Sequence, residues 1–446
     1  MTEISLEQIK DFNQGLKSFP AADTIRRAVT SNGIDKATLD SKAAVDSQAV
    51  FSVEVKTGKV ANQMSSGRCW MFAALNTMRH RTADLFNISG KFELSQSYTF
   101  FWDKFEKANY FYNNVVKTAD LPLDNRKVAY LLETPQQDGG QWDMICAIIE
   151  KYGLVPQTVF PESFDSSHSA ALNRMLNRKL RKDAVELRAL AAQKSNQAEI
   201  DEKIKEFNAD NYRMLSLVFG NPADVAHFDF EYRDEDKKYH LEKNLTPKSF
   251  FKKFVDEDLE DYVSIINAPT SDKPYHKTYT IENLGNVVGG REVKHLNVEL
   301  DEFKQLAISQ LKDGQSVWFG VDMGPQVDRE SGIMDLNNFA QEDAFGIDLS
   351  LTKAEQLDYA DSLMTHAMVL TGVDLDEDGN PLRWKVENSW GEKAGKNGYF
   401  VMSDDWMSLY AYQVVVNKKY LSAELQKAQA ETAKVLDPWD PMGALA

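Results

Sequence analysis

The sequence predicts an α+β protein, with helices concentrated in its first half and strands in its second. Two patterns carry this reading. Apolar residues recur at spacings of three and four in several stretches before about residue 285, and short β-branched and aromatic runs dominate beyond it. A third observation bounds the class: 446 residues, 43% apolar and 27% charged, are ordinary globular proportions that exclude collagen-like and low-complexity chains. At roughly 150 residues per domain, the length suits about three domains or one large domain with an insertion.

Taken in order, Ser5 and Gln8 have the spacing of a capping box, and Ile9, Phe12 and Leu16 then share one face of a short helix expected to dock on the body. Alternation over 51–60 predicts extended chain. SSGRC interrupts it, and WMFAALNTM resumes a helical pattern, so a helix should begin near Cys69. Another is expected over 141–152, stopped by Gly153. After Pro161, Leu172, Leu176, Leu180, Ala184 and Leu187 predict one long helix over 167–193, and a second capping pair, Asn196 with Glu199, opens a helix carrying Ile200, Ile204 and Phe207. The basic residues between Arg174 and Arg188 read as a solvated helix face. Strands are expected at 317–321, 366–373 and 399–403, a last helix at 422–435, and then an extended tail, DPWDPMGALA, whose two prolines and Gly443 oppose helix.

Composition narrows the function. Lys and Arg number 51 against 68 Asp and Glu, and a net charge of −17 repels a phosphate backbone, which disfavours nucleic-acid partners. Two cysteines, Cys69 and Cys146, are too few for a disulfide framework and point to a reducing compartment. The N-terminal stretch lacks the apolar run of a secretory signal, and no segment approaches the ~20 apolar residues of a membrane helix. The expected location is therefore the cytoplasm, with no membrane partner. No HExxH or CxxC occurs, and GNVVGG at 285–290 lacks the Lys and Ser/Thr of a phosphate loop, so neither metal nor cofactor is implied.

The chemistry gathers at Cys69, which opens its helix with Arg68 beside it. A helix N-terminus and a neighbouring cation both lower a thiol from about 8.5, so a thiolate nucleophile is expected, with a buried structural cysteine as the alternative. A thiolate nucleophile needs a base, and His366, in an apolar run, is the histidine best placed on a rigid strand. Asn388 follows 22 residues later in WKVENSWG and is the candidate orienting group. Between them, Asp374, Asp376, Asp378 and Gly379 spell DxDxDG, but position twelve of a calcium loop would be Lys385. A hairpin turn through Gly379, Asn380 and Pro381 is expected instead, setting His366 and Asn388 on adjacent strands.

QMSSGRCW at 63–70, THA around His366 and NSWG at 388–391 together resemble the papain-type cysteine peptidases, and within them the intracellular branch of bleomycin hydrolase and bacterial aminopeptidase C. DGGQWDM at 138–144, KYGLVP at 151–156 and the tail extend the resemblance over nearly the whole chain. It implies a papain-like fold with a helical lobe over 1–161, a mainly helical insertion over 162–285, a β-rich lobe over 286–436, and an arm over 437–446 that reaches the cleft. His366 lies 297 residues after Cys69, against about 130–150 in secreted relatives, and the insertion accounts for most of the excess. Ser66 and Arg68 stand where those relatives carry Cys and Ser or Ala, which agrees with a cytoplasmic protein.

The resemblance also implies roles. Cys69, His366 and Asn388 form a Cys-His-Asn acyl-enzyme centre, with His366 holding the thiolate as an ion pair, and Gln63 completes the oxyanion hole. Trp390 either shields the His–Asn bond or packs as ordinary core, and both readings stand. Gly139 and Gly140 resemble a substrate-cleft wall, although a turn before a helix explains them nearly as well. Composition alone makes the tail disordered, whereas the resemblance lays it in the cleft with the Ala446 carboxylate facing the substrate's α-ammonium group. The expected activity is thus a thiol aminopeptidase acting on peptides with a free N-terminus. The alternatives are an endopeptidase whose tail misses the cleft and, from another class, a nucleic-acid-binding relative. Only 68 residues precede Cys69, too few for a large inhibitory propeptide, and the restraint the family implies is a homohexamer with its active sites facing an inner chamber.

Overall fold

The computed structural model describes residues 1–88, 92–193 and 196–446. Ser5 caps helix α1 (Leu6–Ser18) as expected: its hydroxyl accepts from Gln8 N–H, and Ser5 N–H donates to Gln8 Oε1 at 2.8 Å. The expected docking does not occur within the chain, since Ile9, Phe12 and Leu16 all remain exposed.

Helix α2 (Cys69–Leu85) is buried on nearly every side, the mark of a central rather than a surface helix. Helices α3 (Gln96–Lys117) and α4 (Trp142–Tyr152) pack against it in one apolar core. Gly153 ends α4 in the left-handed region, at φ +74°, and donates to Ile149 O at 2.7 Å. Helix α5 (Ala170–Ala192) begins later than the periodicity predicts, because Ser163 caps a separate short helix, Phe164–Ser167, that breaks at His168. The expected stripe from Leu172 to Leu187 is buried. From Leu176 onward it packs with α6 (Gln197–Phe219) against Tyr112 and Val115 of α3. Asn196 Oδ1 accepts from Glu199 N–H at 3.0 Å, opening α6 where expected.

The 162–285 stretch holds more than these helices. It adds a hairpin, β1 (Phe228–Arg233) with β2 (Tyr239–Leu245), and two strands, β3 (Tyr262–Ile266) and β4 (Lys277–Ile281), that join the central sheet. Both sheet strands are covered on two faces, so they lack the alternation by which a half-exposed strand is read. Then follow β5 (His295–Asn297), α7 (Leu300–Lys312), β6 (Val317–Val321), β7 (His366–Leu375), β8 (Pro381–Glu387), β9 (Tyr399–Ser403) and β10 (Ala411–Asn417), with strands at all three expected places. The last expected helix is shorter, α8 (Ala423–Ala430), because Val435 lies instead in β11 (Lys434–Leu436), paired parallel to β4. Pairing along an open sheet edge outweighs helix propensity there.

The sheet runs β11-β4-β5-β3-β10-β6-β7-β8-β9, continued by two short strands. Extended chain over 51–60 contributes only Val53 and Glu54, which pair with Val373 and Gly372 of β7. Helix α2 lies across the sheet, where Trp318 Nε1 of β6 donates to Trp70 O at 2.9 Å, and α7 covers a second core. Beyond β11 the tail makes a turn closed by Asp440 N–H on Asp437 O at 3.0 Å and one tight helical turn at Pro441–Gly443, and is otherwise extended. No helix among the described residues is long and apolar enough to cross a membrane.

Candidate active site

The chain before Cys69 is tied down at several points. Met64 adopts a left-handed conformation, φ +54°, that folds the loop back on itself. Gln63 Nε2 can then donate to Ser66 O, and Ser66 Oγ to Gln63 O, both at 2.6 Å. Gln63 N–H donates to Ser389 O at 2.8 Å, and Ser389 Oγ to Gln63 Oε1 at 2.5 Å, which ties the loop to the residue after Asn388. Arg68 turns inward: Nη1 donates to Glu162 at 2.9 Å, Nε to Ser66 Oγ at 2.8 Å, and the guanidinium lies over the rings of Phe72 and Phe100. Its charge is engaged in the interior, so the cation expected to assist the thiol is directed elsewhere.

His366 opens β7, and its Nε2 lies 2.9 Å from Asn388 Oδ1. Ser389 N–H also donates to that oxygen, at 2.7 Å, so Asn388 accepts, Nε2 carries the ring proton, and Nδ1 keeps its lone pair. The expected hairpin joins the two residues. Val369 of β7 faces Glu387 of β8, Gly379 supplies a φ of +87°, and Asp376 Oδ1 accepts from the N–H groups of Asp378 and Asn380. Trp390 covers the imidazole with ring centroids 5.0 Å apart, and the Arg329 guanidinium lies 5.0 Å from the centroid of the indole.

The N–H of Ala367, the residue after His366, favours the ionised form of the Cys69 thiol. Burial nevertheless pushes the thiol up to about 11, with the Asp138 carboxylate adding to the rise and the N–H groups of Ala367, Trp70 and Cys69 opposing it. Burial also pushes His366 down to about 4, Asn388 opposing and Arg329 assisting. This reverses the expected direction for the thiol, because loss of water around it outweighs the helix N-terminus. Taken singly, both groups are neutral at pH 7.

Asp138 begins the segment through Gly139 and Gly140, a wall packed against Trp70 of α2, and the sequence assigns it no role of its own. Its carboxylate accepts from Gly67 N–H at 3.0 Å, Asn173 at 2.8 Å and Ser169, and pairs with Lys104 at 2.6 Å. Its carbonyl accepts from Trp70 Nε1 at 2.8 Å. Burial alone would raise this carboxyl, but Lys104 and the donors outweigh it and hold the group well below the usual range. Burial brings Lys104 down to about 8 even beside that carboxylate. The pair braces the wall against α2. Lys104 carries no sequence signal, because its partner lies a loop and a helix away.

Gly139 and Gly140 meet the tail. A Cβ at Gly139 would lie 2.7 Å from Ala446 O and 2.9 Å from the Leu445 side chain, and one at Gly140 would lie 2.6 Å from the Trp70 ring. Gly140 N–H donates to Ala446 O at 3.2 Å, and Gln141 Nε2 to Ala444 O at 2.5 Å. Residues 444–446 thus run along the wall, and Ala446 is only 4% exposed. Cys146 is buried inside α4, and burial raises its thiol far above the ordinary range.

A model of the Peptidase C1-like family matches residues 3–443. The chain belongs to that family. Aminopeptidase C of Lactobacillus delbrueckii subsp. lactis is 52% identical over 447 residues, covering 100% of this chain and 99% of the relative. Aminopeptidase C of Listeria monocytogenes is 50% identical over 445 residues with the same coverage. The crystal structure of PepW from Lactobacillus rhamnosis HN001 superposes with a TM-score of 0.98 at 58% identity over the whole of both chains. The papain-like α+β fold implied by the motifs is therefore the family's fold and this chain's. Away from the cleft, His276 meets Glu299 and Glu302 with ligand atoms within 4.8 Å of one another, at the N-terminus of α7 where carboxylates are favoured.

Proposed function

We propose that this protein is a cysteine aminopeptidase that releases N-terminal residues from peptides through a thioester on Cys69. His366 Nδ1 takes the thiol proton as sulfur attacks the scissile carbonyl, and returns it to the departing amine as the C–N bond breaks. Asn388 keeps the imidazole in the tautomer this requires. Gln63 Nε2 and the Cys69 N–H receive the oxyanion, an arrangement worth about 3–4 kcal/mol where single donors have been removed. Water, activated by the same imidazole, then hydrolyses the thioester. Relatives called Aminopeptidase C, about half identical over the full chain, support the activity.

The observation that carries the reading is the run of residues 444–446 along Gly139 and Gly140. With one Ala446 oxygen held by Gly140 N–H, the carboxylate would meet a substrate's α-ammonium group, and any longer N-terminal extension would collide with the arm. The test is hydrolysis of one peptide in free and N-acetylated forms by the full chain. Single residues should be released from the free form alone, and equal cleavage of both would leave an endopeptidase.

The thiol offers an independent check. In His366→Ala the proton acceptor is gone and burial still favours the protonated sulfur. Iodoacetamide labelling of Cys69 should therefore be slow at pH 7 and climb with pH towards about 11, whereas the parent labels readily at pH 7. Equal labelling of both at pH 7 contradicts the pairing.

We extend the proposal to a cytoplasmic homohexamer whose contacts come from the helices within 162–285. Met175 and Val185 on α5 and Leu217 on α6 support it, since they leave large apolar side chains exposed. The net charge of −17 speaks against nucleic acid as a partner.

A further inference from the structure

We infer that two side-chain anchors upstream of the arm's tip, the Lys273–Asp440 ion pair and the Arg126–Trp439 stack, set the arm's register in the cleft and make Lys273 and Arg126 positioning residues for N-terminal selectivity. The inference rests on the aminopeptidase reading. At the tip, the arm packs Ala446 and Leu445 against the core, and its polar contacts are made by its own main chain: Ala446 O accepts from Gly140 N–H and Ala444 O from Gln141 Nε2. Main-chain groups repeat at every residue, so such contacts hold an extended segment without choosing which residue sits where.

Side chains make that choice. Lys273 Nζ lies 2.9 Å from Asp440 Oδ2 and 2.8 Å from Asp272, with the lysine side chain 6% exposed and that of Asp440 11%. The other Asp440 oxygen accepts from Met442 N–H at 2.9 Å and shapes the turn before the tip. One residue earlier, the Arg126 guanidinium lies 3.6 Å from the centroid of the Trp439 ring, and Tyr130 meets that ring edge-on. Slippage by a single residue displaces an extended chain by ~3.5 Å, enough to carry a carboxylate out of hydrogen-bond reach of an α-ammonium group. There is room for such movement. A cleft of about 490 Å³ opens on the arm's flank, lined by Tyr110, Tyr130, Leu363 and the arm's own Trp439 and Leu445.

The test uses the full chain carrying Lys273→Met, Trp439→Ala or Lys273→Arg, with kcat/KM measured on free and N-acetylated forms of one peptide. For Lys273→Met and Trp439→Ala, the free-to-blocked ratio should fall at least about tenfold, the loss on the free peptide appearing mainly in KM. Labelling of Cys69 by iodoacetamide should stay at the parental rate, reporting an intact catalytic centre, and Lys273→Arg should keep the parental ratio. If Lys273→Met does not fold, the half-buried Trp439→Ala carries the test. An unchanged ratio, or equal losses on both substrates, means the anchors only stabilise the fold and overturns the inference. A parent enzyme with no preference for the free amine would instead overturn the aminopeptidase reading beneath it.

Discussion

Replacing Cys69 by alanine should lower peptide turnover by about 10⁴-fold or more while the protein folds and assembles as its parent does. The proposed chemistry has one nucleophile, and without sulfur neither His366 nor the oxyanion donors would have an acyl group to hold. The fold should tolerate the change, because α2 is fixed by Trp70, Met71 and their neighbours in the core, and by the Gly67–Asp138 contact. Thermal unfolding should move by no more than about 3 °C. Sedimentation at micromolar concentration should give a six-chain particle for both proteins. Substantial residual turnover would remove Cys69 from its role, and a monomer would remove the hexamer.

Deleting residues 444–446 should lower kcat/KM for peptides with a free N-terminus by about 10- to 100-fold and turn N-acetylated peptides into substrates. A hydrogen bond to a charged group contributes about 1.5–3 kcal/mol, which is the size of the proposed interaction between the arm's carboxylate and the α-ammonium group that the deletion would remove. The second effect has a steric origin, since the wall at Gly139, where Ala446 and Leu445 leave no space for a Cβ, becomes open to peptide. Stability should change little: β11, the Lys273–Asp440 pair and the Trp439 stack all lie before the cut. A free-to-blocked ratio equal to the parent's would show that the tip does not govern selectivity.

Much of the fold can be read along the chain where local signals act alone. The capping residues at Ser5 and Asn196, the stop at Gly153, the start of α2 at Cys69 and the turn between β7 and β8 each depend on a few adjacent residues. Signals that depend on distant partners were not legible. Strands β3 and β4 are buried on both faces and show no alternation, and β11 exists because β4 offers it an edge. Arg68 reads as a cation beside the thiol, yet Glu162, 94 residues later, draws it into the interior. Lys104 and Asp138 each look unremarkable in sequence and form a buried pair only because α3 and the wall meet.

By itself, the sequence determined which residue types stand in which order: Gln63, Cys69, His366 and Asn388, with a tail that prolines and glycine keep from becoming helix. It also determined the family, since the matching segments extend from residue 3 to residue 443. Only the tertiary structure decided the electrostatic state of the centre and the path of the tail. The thiol's tendency to ionise depends on how much water its neighbours exclude, and that sum runs over residues from α2, β7 and the wall rather than over the few beside Cys69. The tail's position likewise depends on Lys273, Arg126 and Gly140, three residues far apart in the chain that bear on residues 439–446 once the chain has folded.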